Sequence, residues 1–582
     1  MSASVTAISQ RAAARSGAGA EQAPVTSRKQ LLLAICCVAQ FMVILDVAIV
    51  NVALPSIRAS LGFSATHLQW IVSAYTITFA GFLMLSGRAA DLFGQRRTFV
   101  TGLLVFALAS LAGGTATSQG TLVGARALQG LGGAIMAAAS LAIITSSFAH
   151  GPERLRAIGL WGAMNGAGGA AGTLLGGIIT EAFSWRWILL INLPIGIAGA
   201  VAAYLIVAER KGRIDWSSFD LGGALAITAG MLALVYGIVS AGSDGWGSAT
   251  ALGPIALGVV LLGVFVLIEG RLAPMPLVPL RVFKPSQMRT ANLVVLLYSA
   301  ALFPMWYLTS LYLQEVLHMP PLGAGLAFLP MALTIMAFAT RAGSLVGRFG
   351  VRPVLGTGLL LMAAGMALFA LLIEVNGSYG ADVLAPGLLA SVGIGLAVVP
   401  STVAATAAAA PSEAGLASGL VNTSRQMGGA LGLAILASLA AQFTAHLLNS
   451  NYQAPLMALT NGFRLAYLLG AIFSAAAAVV ALIGIATRPA PAPATPPQPA
   501  AAPRPAPEPA DAPEPAGPPP APARPVVLAA RKSPDGARPG GATPPARARA
   551  VVSYMHGERS WPIAPGSMTI DLAGGGRAER AG

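Results

Sequence analysis

The chain has 582 residues, of which 55% are hydrophobic and only 10% charged, against about 25% charged in a soluble globular domain. Its mean hydropathy is +0.72, and the combination excludes an ordinary soluble enzyme. The net charge of +14 raises nucleic acid as a partner, but the basic residues fall in short loops and a tail with no continuous basic face, so the lipid bilayer accounts for them instead. Cys36 and Cys37 are adjacent, which leaves no disulfide framework and no thiolate metal site.

Residues 1–30 form a polar segment carrying Arg11, Arg15, Arg28 and Lys29. The apolar block that follows is too long for the core of a cleaved signal and is read as a first retained helix. Apolar blocks of about 20 residues, each able to cross roughly 30 Å of hydrocarbon, then recur along the chain. Spans are predicted at 31–54, 68–87, 98–116, 121–146, 156–180, 185–207, 219–241, 249–268, 291–313, 321–341, 353–374, 383–408, 424–446 and 463–486. The fold class is therefore an all-α membrane protein of about fourteen transmembrane helices. Beyond Arg488 the chain holds 23 of its 41 prolines. Such a composition cannot bury a core, and 487–582 is expected to be a Pro/Ala-rich disordered cytoplasmic tail.

Lys and Arg test the span count, because cytoplasmic loops collect them. With the N-terminus inside, alternate loops hold twenty, including Arg88, Arg96, Arg97, Arg271, Arg348 and Arg425, against Arg58, Arg186 and Arg464 outside. The expectation is a multi-pass protein of the cell membrane with both termini in the cytoplasm.

Ionisable groups at membrane depth cost about 2.5 to 3.5 kcal/mol each on insertion scales and are functional candidates. Two stand out. Asp46 lies about 22 Å along the first span, and Arg126 about 8 Å from the outer end of the fourth, which runs the other way; both fall in the outer half. Burial raises the affinity of a carboxylate for a proton and a guanidinium lowers it, so the pair suits reversible protonation, the alternative being a static ion pair. Gly162, Gly166, Gly169 and Gly176 of the fifth span lie near one face, where a partner helix can approach closely. The run Gly130-Leu131-Gly132 follows no strand and is rejected as a dinucleotide loop. No histidine falls mid-span to serve a hydrolytic site. Nothing in the residues calls for a cofactor or a metal.

LDVAIVNVALP (45–55), GRAADLFGQRR (87–97), ARALQGLGGA (125–134), WRWILLINLPIG (185–196) and SGLVNTSRQMGGALG (418–432) together resemble the major facilitator superfamily, in its branch of fourteen-helix drug:proton antiporters. The likeness extends over about residues 30–486. It implies two six-helix bundles, 31–207 and 291–486, with two extra helices in 208–290. It also implies that Asp46 and Arg126 serve proton coupling. The loop motif falls on Gly87, Asp91, Gly94, Arg96 and Arg97, where Asp91 would pair with a basic residue or a helix N-terminus to latch the two halves. Leu92 stands where a basic residue is usual. A second copy, GRFGVR at 347–352, has Gly347 in place of the acid. The fifth-helix antiporter motif falls on Gly172, Gly176 and Gly177, with Thr173 where the family has proline.

The function implied is proton-coupled efflux of lipophilic small molecules, drugs, antibiotics or antiseptics, by a monomer that alternates access. Within transport, a metabolite exporter or proton symporter is the alternative; outside it, a membrane sensor or membrane-embedded hydrolase.

Overall fold

The computed structural model describes residues 23–148, 151–209, 220–407, 409, 413–450 and 454–486. The expected tail and most of the N-terminal segment lie outside these. All long elements described are helices: α1 (Ala23–Leu61), α2 (Trp70–Phe93), α3 (Gln95–Gly114), α4 (Gln119–Ser147), α5 (Pro152–Ala182), α6 (Trp187–Ile206), α7 (Leu221–Asp244), α8 (Ala249–Leu272), α9 (Ser286–Val316), α10 (Pro321–Phe349), α11 (Val351–Leu372), α12 (Tyr379–Ala407), α13 (Ala414–Asn449) and α14 (Pro455–Gly484). Thirteen are long and apolar enough to cross a membrane. The other, α5, has 31 residues, and its glycines and Asn165 dilute its hydropathy. Helices suit this composition because each satisfies its own backbone where no water is available.

Local chemistry sets the boundaries. Ser118 caps α4 by accepting from the Thr121 amide, Asp220 caps α7 by accepting from Gly223, and Ser248 caps α8. Gly94, at φ +97°, parts α2 from α3, and Gly350, at φ +90°, parts α10 from α11. Both positions demand a conformation that side chains resist, and they belong to the two copies of the loop motif.

The helices pack as two repeats. In the first, α1 lies along α5, α4 packs on α2 and α3, and α3 reaches α6. In the second, α9 lies along α13, α12 packs on α10 and α11, and α11 reaches α14. The same pattern recurs eight helices later. Across the seam α5 meets α10 and α2 meets α13, while α7 and α8 pair with each other and α7 leans on α2 and α13.

The helices correct one reading of the loops. Arg425 belongs to no loop: α13 begins at Ala414, ten residues before its predicted start, and carries Arg425 well inside the bundle. Arg58 and Arg464 likewise lie within α1 and α14.

Candidate functional site

Four helices of the first repeat bring polar side chains to one buried point, and a fifth lends a backbone carbonyl and an aromatic face. Asp46 of α1 and Arg126 of α4 are 0% and 1% exposed. Arg126 Nη1 donates to Asp46 Oδ2 at 2.5 Å and to Gln129 Oε1 at 2.7 Å. Asp46 Oδ1 accepts from Gln129 Nε2 at 3.1 Å and from Asn192 Nδ2 of α6 at 3.0 Å. Gln129 Nε2 also donates to Ser110 Oγ of α3 at 2.6 Å, and Arg126 Nε to the Ile71 carbonyl of α2 at 3.0 Å. The guanidinium lies 4.5 Å from the centre of the Tyr75 ring, close enough for a cation–π contact.

Geometry explains why these residues meet. Arg126 and Gln129 are three apart and share a face of α4. Gly130 lets α4 approach α2, since a Cβ there would collide with the Tyr75 carbonyl, and Gly132 lets it approach α3 at Phe106. The carboxylate thus has three donors and a full counter-charge in a water-poor interior. Asp46 and Arg126 were legible from depth; Gln129, Asn192, Ser110 and Tyr75 were not singled out.

The glycines of α5 divide into two sets. Gly172 and Gly176 face α1, where a Cβ would stand 2.8 Å from the Leu45 carbonyl and 2.9 Å from the Ile49 carbonyl; Gly168, absent from the sequence reading, faces the Phe41 carbonyl at 2.9 Å. Gly177 faces α10, 2.6 Å from the Pro321 carbonyl, and Gly325 of α10 returns the contact at Thr173. Gly166 is in ordinary contact with Met336 of α10. Gly162 and Gly169 meet no atom within 4 Å of a Cβ position. Between them on the same face, Asn165 is exposed. Thr173 Oγ1 bonds the Ala170 carbonyl at 3.0 Å, not that of Gly169, as a mid-helix threonine does when its hydroxyl folds back on its own helix.

The seam between repeats is therefore asymmetric along its length. Call the end where α1 starts the near end and the end where it finishes the far end. The hydrogen bonds and ion pair described between the repeats lie in the far half: Arg58 Nη1 to Glu315 at 2.7 and 2.8 Å, Ser310 Oγ to the Asn51 carbonyl at 2.6 Å, Gln314 Nε2 to the Val52 carbonyl at 2.9 Å, the Leu322 amide to Glu181 at 2.9 Å, and Gln69 to Ser438 at 3.3 Å. In the near half Gly159 of α5 and Gly343 of α10 are exposed and meet no neighbour, while α2 still touches α13 where Met84 lies 2.9 Å from the Cβ position of Gly419.

Among the described residues, the loop between α2 and α3 makes contacts with the end of α6 and the linkers after α6 and α8. Gly87 has open space around it and Asp91 is exposed. Arg96 donates to Glu209 at 2.9 Å and stacks 4.9 Å from the Tyr204 ring, Arg97 lies 3.6 Å from Glu209, and Arg88 reaches Met275. The expected latch is open here: its arginines hold the end of α6 and the linker after α8.

The Major Facilitator Superfamily model matches residues 36–432 and 291–535. The chain is 42% identical over 418 residues to a cephamycin export protein of Amycolatopsis lactamdurans, covering 71% of this chain and 85% of that one. It is 40% identical over 426 residues to a puromycin resistance protein of Streptomyces alboniger, covering 73% and 84%. In fold it resembles a bacterial homologue of the human lysosomal transporter Spinster in an inward-facing, occupied conformation, with a TM-score of 0.58, 14% identity, and 78% and 96% of the two chains covered.

Proposed function

This chain belongs to the Major Facilitator Superfamily, and from that premise we propose that it exports lipophilic small molecules, antibiotics and antiseptics among them, in exchange for protons. The seam between the repeats carries the reading. It is knit at the far end by Arg58–Glu315, Glu181–Leu322 and the Gly177–Pro321 and Gly325–Thr173 contacts, and toward the near end the glycines of α5 and α10 at 159 and 343 meet no neighbour, the α2–α13 contact at Met84 and Gly419 remaining. A binding space reached from one side and sealed from the other is what alternating access requires. The names of the cephamycin and puromycin relatives, an export protein and a resistance protein, give the direction of transport.

With the near end in the cytoplasm, the state described is open inward and both termini are cytoplasmic. The mobile bodies are 31–207 and 291–486, with 208–290 as an inserted pair beside the α2–α13 seam, and the monomer is the working unit. Asp46 takes a proton when the network opens to the outside and yields it inside, while Arg126 holds the charged form. Protonation removes the carboxylate that Arg126, Gln129 and Asn192 all engage, which loosens α1 from α4 and α6. Gly87, Asp91, Gly94, Arg96 and Arg97 close the cytoplasmic side in the opposite state.

The test is a panel of toxic compounds in an efflux-deficient host, with ethidium as the reporter. Expression lowers ethidium accumulation several-fold, and a protonophore abolishes the difference. Accumulation unchanged by expression across the panel would overturn the export reading, and export indifferent to the protonophore would overturn proton coupling.

A further inference from the structure

The two repeats share a register that the glycine contacts fix. Gly168 and Gly172 of α5 press on the carbonyls of Phe41 and Leu45 in α1, and Gly428 and Gly432 of α13 press on those of Leu296 and Ala300 in α9. Three residues before the first glycine of each pair stand Asn165 and Arg425. Asn165 shares its helix face with Gly162 and Gly169, which open on unfilled space, and its Oδ1 accepts from Gln40 Nε2 of α1 at 2.9 Å. A polar side chain at this depth turns toward protein or a water-filled cavity, not lipid. Arg425 is its counterpart in the second repeat, about 16 Å along α13.

Arg425 differs from the other membrane-embedded arginines in what it lacks. Arg126 has Asp46, Arg58 has Glu315 and Arg464 has Glu374. Arg425 Nε donates to the neutral Tyr298 hydroxyl at 3.3 Å, its Nη2 is buried with no hydrogen-bond partner, and no carboxylate lies within 4 Å among the described residues. Next to it in the chain, Ser424 Oγ donates to Asn292 Oδ1 at 2.9 Å. A guanidinium keeps its charge at any accessible pH. A permanent cation at this depth with no counter-ion is costly, and an anion brought by a ligand removes that cost.

We propose that Arg425 is the site where an exported molecule docks an anionic oxygen group, a carboxylate on an otherwise lipophilic body. The inference rests on the export reading and names the substrate class within it. Tyr298 steadies the guanidinium through Nε and leaves the Nη nitrogens for the ligand, the geometry in which arginine takes a carboxylate with two donors. Lysine in its place would keep the charge and lose the fork.

The experiment uses the full-length purified protein and three pairs of probes: nalidixic acid, fusidic acid and benzylpenicillin, each with its methyl ester. Ligand-induced thermal stabilisation in detergent measures binding, and proteoliposomes with an imposed proton gradient measure transport. At least one acid is expected to bind ten-fold or more tightly than its ester. Arg425→Gln should abolish that preference while leaving ester binding unchanged, which also reports that the variant is folded, and Arg425→Lys should keep part of it. No acid preferred over its ester, or a preference that survives Arg425→Gln, overturns the proposal. Ethidium pumped without any acid preference means that export stands and the anion site fails. Arg425-dependent binding of acids that no proton gradient moves means the reverse.

Discussion

The two repeats share a packing pattern and differ in where they place charge. By the register of the glycine contacts, Asp46 of α1 corresponds to Ala301 of α9, which is fully buried among apolar neighbours. The first repeat thus encloses a buried ion pair with its hydrogen-bond partners in place. The second has an apolar core at that level and carries its mid-membrane charge, Arg425, without a counter-ion. In the mechanism proposed above, the closed pair takes the proton when its network opens and the uncompensated cation takes the cargo, so the two copies of one fold divide the work.

The largest effect should come from opening the first repeat's network. Arg126→Leu leaves Asp46 buried with its counter-charge gone, a loss of about 3–5 kcal/mol for a broken buried pair. Membrane abundance and detergent melting temperature should both fall sharply. Asp46→Asn is nearly isosteric and never ionises, but it leaves Arg126 buried without its counter-ion, so abundance should also fall; per inserted molecule, uphill export should be abolished with downhill exchange surviving. Proton flux and ethidium accumulation in proteoliposomes under an imposed pH gradient check this. If Asp46→Asn still concentrates ethidium with the proton stoichiometry of the parent, Asp46 is structural and the comparison loses its first half.

The α5 glycines test the packed and open faces of that helix at the next level of effect. Gly177→Ala sets a Cβ 2.6 Å from the Pro321 carbonyl across the seam, and Gly172→Ala one 2.7 Å from the Ala48 Cβ of α1. Each backbone must shift, and we expect transport to fall ten-fold or more. Gly162→Ala and Gly169→Ala fill open space and gain helix propensity, so transport should stay within about two-fold. Equal losses at all four positions would show that the division of this helix into a packed and an open face is wrong.

The sequence carried the helix count and the shared depth of Asp46 and Arg126 because both rest on one dimension. Hydropathy along the chain gives spans, and distance from a span's end gives depth. What it could not carry needed a second axis. Asn192 lies in a different helix from Asp46 and has no charge to mark it, so nothing in WRWILLINLPIG says which carboxylate it will meet. Gln129 did leave a trace, three residues from Arg126 on the same face. Gly168 was missed because spacing alone could not say which glycines of α5 turn toward α1. Arg425 fell in a loop because NTSRQ is too polar for a lipid-facing span, yet a helix whose polar face turns toward protein pays no such penalty. The spacing of the glycine stripe could not say which members meet a neighbour, and the structure places Gly162, Gly169 and Asp91 in the open.

The smallest effect expected is at the far end, where Arg58 and Glu315 close the seam. Their side chains are 34% and 19% exposed, so solvent screens the pair and its worth falls near the upper end of the 0.2–1 kcal/mol typical of exposed ion pairs. One kcal/mol corresponds to a population shift of about five-fold. Glu315→Gln should therefore raise the outward-open fraction by no more than about five-fold, because Ser310, Gln314 and Glu181 still bridge the repeats. In a background carrying Cys36→Ser and Cys37→Ser, Ser310→Cys would report that fraction through its labelling rate with a membrane-impermeant maleimide. The rate should rise in Glu315→Gln, fall back in the swap Arg58→Glu with Glu315→Arg, and depend on salt as a partly exposed pair requires. A rate unmoved by any of these would place the closure in the Gly177 and Gly325 contacts alone, and the far end would then be held by packing without charge.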